Sequence, residues 1–177
     1  MRRERPFGVG GRDPVIAPVG GQHPALGVVL EVGDHDLVQT ALLNIGADMD
    51  FWKVAMRPGK PIMAGKIDDT IVLGLPGNPS SAYVTAFLFL LPLVRHMAGA
   101  LAPFPELFEA PVAIALPAGG SRTEYLRAKV DDALITPFRA QDSGMVLPLS
   151  QSNALIVHET NAPAKPEGAS VHYHRIA

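Results

Sequence analysis

Three short polar stretches hold the residues of this chain that could do chemistry: Gly33-Asp34-His35-Asp36, Arg57-Pro58-Gly59-Lys60-Pro61, and Gly74-Leu75-Pro76-Gly77-Asn78-Pro79-Ser80-Ser81. The first offers carboxylates for a divalent cation such as Mg²⁺, the second fixed positive charge for oxyanions, and the third helix-terminal amides, a combination suited to phosphate chemistry. In the third, Asn78 is a preferred N-cap and Pro79 fits the next position, where its missing N–H and fixed φ cost nothing. A helix is therefore predicted to start at Pro79. The amides of Ser80 and Ser81 would lie in its first turn, where the positive dipole end favours an anion, and Gly77 would let the backbone approach it. Each part also has a purely structural counterpart. Pro-Gly-Asn-Pro makes a tight, well-capped turn, Asp36 can cap a helix and Lys60 can be a solvated loop charge. The combination is more specific than any part.

The elements that must position these stretches follow from pattern. Thr70 to Leu75 is a β-branched apolar run and Ala82 to Met97 a helix-length one, so the third stretch sits at a strand-to-helix corner. Such corners lie at the carboxyl end of a sheet, where α/β folds bind ligands. Val28 to Val32 reads as a strand and Leu37 to Ile45 as a helix, with Leu37, Val38, Ala41, Leu42 and Ile45 at helical spacing and Gly46 to end it. Asp50 to Met56 reads as a strand, and Ile62 to Lys66 as another before the Asp68-Asp69 turn. All three polar stretches are thereby expected at one end of one sheet.

After Gly99 the character changes. Ala102-Pro103-Phe104-Pro105 reads as a linker. Leu107 to Leu116, Glu124 to Asp131, Ala133 to Arg139, Leu155 to Glu159 and Ser170 to Ile176 are short strand-like runs, which suggest a small β-barrel or sandwich. Arg122, Glu124 and Arg127 form a charged cluster at a strand start, read as a surface ion-pair group. His172 and His174 alternate on the last strand, with His158 as a conceivable third metal ligand; a solvated or partly packed edge strand is the plainer reading. Residues 1–26 are rich in Arg, Gly and Pro without either periodicity. A disordered basic tail, a linker and a wrong start or reading frame all remain open for that segment.

Composition bounds the rest. Of 177 residues, 47% are hydrophobic and 18% charged, which excludes a disordered chain, while 17 Gly and 17 Pro imply many sharp corners. A net charge of −2 gives no global pull toward nucleic acid or anionic membrane. The absence of Cys excludes disulfides, Fe–S clusters and Cys-type zinc sites, and with no signal peptide visible the simplest compartment is the cytoplasm. The uncharged run Ser80 to Val94 is too short to span a bilayer and contains Pro92, so it reads as a core helix. There is no Walker-type loop and no Gly-x-Gly-x-x-Gly after a strand.

In order and spacing, Gly33-Asp34-His35-Asp36, Phe51-Trp52-Lys53-Val54-Ala55-Met56-Arg57-Pro58-Gly59-Lys60-Pro61 and Gly74-Leu75-Pro76-Gly77-Asn78-Pro79 resemble the molybdopterin molybdenumtransferase family, the molybdenum-insertion enzymes related to the gephyrin E domain. Arg122-Thr123-Glu124-Tyr125-Leu126-Arg127 and Gln151-Ser152-Asn153-Ala154-Leu155-Ile156 look like that family's C-terminal β-barrel, so the resemblance runs from about Val32 to the end, the C-terminal portion of the family. It implies an α/β fold: a partial molybdopterin-binding-type three-layer domain over 27–101, followed by a small β-barrel over 106–177. The implied reaction, in molybdenum cofactor biosynthesis, takes adenylylated molybdopterin and molybdate and, with Mg²⁺, inserts molybdenum at the dithiolene and releases AMP. Asp36 matches the family's acidic active-site position, for Mg²⁺ or proton handling. Arg57 and Lys60 match its basic oxyanion loop, with Lys60 expected to be catalytic beside Asp36 and Arg57 to bind substrate, and Pro76 and Pro79 match the prolines of its active-site loop, which with Gly77, Asn78, Ser80 and Ser81 would bind substrate. The partners implied are a pterin substrate and a second copy in a homodimer, with neither nucleic acid nor membrane. Where the family has a Thr/Ser-Gly-Gly-(Val/Ala)-Ser-Val-Gly turn, this chain reads Gly27-Val28-Val29-Leu30-Glu31-Val32-Gly33, and the family's N-terminal domains have no counterpart in it. The expectation is that this chain alone binds parts of the substrate without inserting molybdenum. The alternative is a non-catalytic molybdopterin-binding or scaffold and oligomerisation fragment.

Overall fold

The computed structural model describes residues 25–32, 37–51, 53–142, 144 and 146–176. Gly33 to Asp36, and with them the expected Asp36 site, lie outside the described residues, as do residues 1–24. The first part of the chain runs β1 (Leu26–Val32), α1 (Leu37–Asn44), β2 (Asp48–Phe51), β3 (Met56–Arg57), β4 (Met63–Ile67), β5 (Thr70–Pro76) and α2 (Pro79–Met97). One four-stranded sheet has the order β1-β5-β4-β2, with β1 parallel to β5 and β4 antiparallel to β5 and β2. Strand alternation divides its faces. Val72 and Met63 pack with Leu42 of α1 and with Ala47 on one side, while Leu73, Leu75 and Ile62 meet Ala86, Phe89 and Leu90 of α2 on the other. Helix, sheet and helix form three layers.

The helix α2 is wound in three pieces, because Pro92 has no N–H to return to the carbonyl of Leu88. The preceding segment Ala86–Leu90 is a π-turn, closed by Leu91 N–H onto Ala86 O. At 19 residues with mean hydropathy 1.2, α2 is long and apolar enough to cross a membrane by length and composition, longer than the uncharged run Ser80 to Val94 that was expected to be too short. In this fold Val84 and Leu88 are buried between the two sheets.

The second part runs β6 (Phe108–Pro111), β7 (Thr123–Asp131), β8 (Leu134–Pro137), a short helix at Val146–Ser150, β9 (Ala154–His158) and β10 (Ser170–Arg175). These strands and β3 form a second sheet of order β3-β7-β9-β10-β6, with β8 on β7. The expected small barrel is not closed by strand pairing among the described residues. Between β6 and β8 the ladder is replaced by a single bridge, Val112 to Ile135. The strand expected over Asp50 to Met56 is two strands: β2 ends at Phe51 in the first sheet, and β3 pairs in parallel with β7 in the second. One core therefore spans both parts, Met56, Val84, Leu88, Tyr125 and Leu155 packing together. The end of the chain is fastened to the same helix, Tyr83 Oη donating to Ile176 O at 3.1 Å.

Candidate functional site

Strand register brings the second and third polar stretches to one end of the first sheet. Met63 at the start of β4 pairs with Gly74 near the end of β5, and Val32 at the end of β1 pairs with Pro76. The segment 57–61, which feeds β4, and residues 77–78, which follow β5, therefore leave the sheet on the same side. The two are also in contact. Gly59 is buried at φ +104°, and a Cβ built on it would lie 2.4 Å from Thr85 Cγ2, so the basic segment is seated against the second turn of α2. Only glycine fits there: the backbone sits where side chains are strained, and Thr85 is fully buried.

The helix begins where the cap predicts. Asn78 is extended (φ −68°, ψ 124°), Pro79 is the first helical residue, and Asn78 Oδ1 accepts from the amides of Ser80 (3.1 Å) and Ser81 (3.2 Å). These two amides, expected to face an anion, are turned onto the cap. Ser80 and Ser81 are 0% and 6% exposed, and Thr85 Oγ1 donates to Ser81 O at 2.8 Å. Gly77 and Pro79 are exposed, Asn78 is half-buried and Pro76 buried. What this corner leaves exposed is the Gly77 backbone and the rim at Pro79.

In the basic segment Arg57 and Lys60 are exposed, and Lys60 O accepts from the amides of Val54 (3.2 Å) and Ile62 (3.1 Å), which fixes the turn between the cations. The segment Arg57 to Pro61 holds no acidic residue of its own. The structure supplies one from 67 residues away, Arg57 Nη1 lying 3.2 Å from Glu124 Oε1. Both residues line a cleft of about 260 Å³ with Pro58, Leu116, Phe138, Arg139 and His158 among its walls.

The charged cluster at the start of β7 is not a surface group throughout. Arg127 is fully buried. Its amide and Nε donate to Gln141 Oε1 at 3.0 and 3.3 Å, and Nη1 donates to Asp142 O at 2.9 Å. Desolvation lowers its pKa, while Asp142 acts in the opposite direction. Burial pushes the Tyr125 phenol up to about 12. The three histidines do not converge. Register places His174 opposite Leu155, on the face of the sheet opposite that of Ile156, whose alternation His158 follows. His172 Nε2 is 2.9 Å from Glu109 Oε1, His174 Nδ1 is 2.8 Å from Glu106 O, and His158 Nε2 is 3.0 Å from Pro117 O. Among the described residues no group of three or more His, Asp or Glu side chains could hold a metal ion. Gln141 is the residue that local sequence reading missed, while Glu124, read as part of a surface ion-pair group, does form an exposed ion pair, with Arg57.

Fold and site together define an α/β unit with a basic segment and a capped strand-to-helix corner at one sheet end, joined to a second sheet. Comparison with known proteins gives that class its family. Residues 30–96 match the "Probable molybdopterin binding domain" and residues 109–176 the "MoeA C-terminal region (domain IV)". Over 132 residues the chain is 32% identical to the molybdopterin molybdenumtransferase of Staphylococcus aureus (strain COL), covering 72% of this chain and 32% of that protein. It is 33% identical to that of Bacillus subtilis (strain 168), covering 72% and 31%. The chain spans about a third of the length of these relatives. A solved molybdopterin biosynthesis moea protein from Pyrococcus horikosii superposes with TM-score 0.70 at 23% identity, over 84% of this chain and 36% of that one. A molybdenum cofactor biosynthesis protein from Pyrococcus furiosus gives TM-score 0.62 at 18% identity, over 88% and 69%. At these identities the solved structures speak to the fold alone. Over residues 30–96 and 109–176, the chain belongs with the C-terminal portion of the molybdopterin molybdenumtransferase family.

Proposed function

We propose that this protein acts in molybdenum cofactor biosynthesis, as part of the machinery that inserts molybdate into adenylylated molybdopterin with release of AMP. The observation that carries the reading is the seating of the Arg57 to Pro61 segment against α2, on the side of the sheet where residues 77–78 also emerge. In this reading Arg57 and Lys60 supply positive charge to molybdate or to the pterin phosphate. Gly77, held between Pro76 and the Asn78 cap, lets the ligand approach backbone, and Pro76, Pro79, Ser80 and Ser81 shape the corner beneath it. Fixed cations are effective for such a ligand because they need not reorganise as charge develops. Asp36, the carboxylate that the family resemblance implies for Mg²⁺ or proton handling, lies outside the described residues, and no step is assigned to the metal.

The proposal extends to organisation: a partial molybdopterin-binding unit over 27–101, a C-terminal unit over 106–177, a homodimer and a cytoplasmic location. The matched ranges 30–96 and 109–176 support the two units. A second reading, binding without turnover, is favoured by one observation. Residues 26–30 run as an unbroken parallel ladder along Ile71 to Leu75, in the stretch where the family resemblance would place a glycine turn.

Molybdate titration of the full chain by calorimetry tests the site, with Lys60→Ala as the variant. Lower affinity with an unchanged melting temperature is the expected result, and a large loss of stability with unchanged affinity would refute it. AMP release from adenylylated molybdopterin, molybdate and Mg²⁺ separates turnover from binding alone.

A further inference from the structure

Resting on the reading that the basic segment binds an oxyanion, we propose that Glu124 is a positioning residue that holds Arg57 until an oxyanion displaces it, and so sets the affinity of the site. The contact between them is built in by the fold. Met56 and Arg57 pair in parallel with Thr123 and Glu124, and Thr123 N–H donates to Ala55 O at 3.1 Å, so the backbones keep the two side chains level. Arg57 Nη1 and Glu124 Oε1 are 3.2 Å apart, with side chains 54% and 27% exposed. Such a pair is open to water and exchanges readily. Both residues border the same cleft, which also carries Arg139.

The competition follows from charge. A carboxylate brings one negative charge to Arg57; molybdate brings two, and Lys60 is a second exposed cation of the same segment. The guanidinium moves from one acceptor to the other, no proton is transferred, and Glu124 is released to solvent beside the arginine it had neutralised. Glu124 therefore lowers the affinity of Arg57 for any oxyanion by the strength of the pair.

The test is molybdate titration of the full chain in Glu124→Gln and Glu124→Asp. An exposed ion pair is worth little, so Glu124→Gln is expected to tighten molybdate binding about two- to fivefold. Glu124→Asp, which keeps the carboxylate, should stay close to wild type, and the urea midpoint of Glu124→Gln itself guards against a folding defect in that variant. In an Arg57→Ala background Glu124→Gln should change nothing, the signature of coupling that a merely structural role would not show. Unchanged or weaker binding in Glu124→Gln, or the same effect with and without Arg57, overturns the proposal. If Lys60→Ala lowers affinity while Glu124→Gln has no effect, the oxyanion site stands and this inference alone falls. If neither wild type nor variant binds molybdate, both fall.

Discussion

The junction between Gly59 and Thr85 decides whether the basic segment is a rigid part of the fold, and Gly59→Ala tests it. The new Cβ would stand 2.4 Å from Thr85 Cγ2 and 3.5 Å from Met56 Cε, in a place where Thr85 is fully buried and held by its hydroxyl to Ser81 O. Two costs add. An alanine at φ +104° carries backbone strain of about 1–3 kcal/mol. Forcing a methyl into a filled interior adds about 1–3 kcal/mol, for a total of about 2–6 kcal/mol. Thr85→Ser separates them, because it deletes Cγ2 but keeps the hydroxyl. In that background the contact cost disappears, and Gly59→Ala should cost only the backbone part, about 1–3 kcal/mol. The assay is urea unfolding, comparing midpoints at unchanged slope, with molybdate affinity measured in the same variants. Because the segment must shift to admit the methyl, affinity should fall in Gly59→Ala and partly recover in the double variant. A loss below about 0.5 kcal/mol, the range of an unconstrained surface change, would refute the reasoning. So would an equal cost in both backgrounds.

Asn78→Ala removes the acceptor shared by the amides of Ser80 and Ser81 and should lower stability by about 1 kcal/mol; an unchanged urea midpoint would show that the cap is dispensable. Gln141→Ala removes the side chain that accepts from Arg127 N and Nε and donates to Arg127 O and Phe138 O. Stranding those buried groups should cost about 1–3 kcal/mol in the same measurement, and a neutral effect would mean that they find other partners. Burial lowers the pKa of His174 below its ordinary 6.5, the hydrogen-bonded contact with Glu106 O acting the other way. As pH falls, the unfolded chain takes up the proton first, so this stability is present above the ordinary value and is lost as pH falls toward the folded one. The urea midpoint should therefore rise from about pH 5 to pH 7, and less so in His174→Gln; identical slopes would exclude the histidine.

What the sequence made legible was local. The start of α2 could be read from Asn78-Pro79 because a cap is a short-range device, and β5 from its β-branched run because alternation is too. The Asp50 to Met56 reading failed for the opposite reason: Met56–Arg57 takes its hydrogen bonds from Thr123 and Glu124, and nothing within the segment signals a partner 67 residues away. The counter-charge of Arg57, Glu124, is hidden from local reading for the same reason. Arg127 looked like a surface residue because its partner Gln141 lies on a separate segment. The helix at Val146–Ser150 is too short to show a period, and it contains Pro148, which pattern reading counts against a helix. The barrel was inferred from the number of short strands, which says nothing of whether the first and last of them meet.

The two-residue strand β3 laces the molecule in a way that its length conceals. Between Phe51 and Met63 the chain leaves the first sheet, contributes Met56 and Arg57 to the second and returns, and it crosses once more through residues 98–107. A protease that clipped the linker near Leu101, whose side chain is fully exposed, would yield two pieces. They would stay together, the N-terminal piece still threaded along β7 and pressed through Val84 and Leu88 against Tyr125 and Leu155. The same lacing couples the two sheets: they cannot be drawn apart without stripping Met56 and Arg57 from β7.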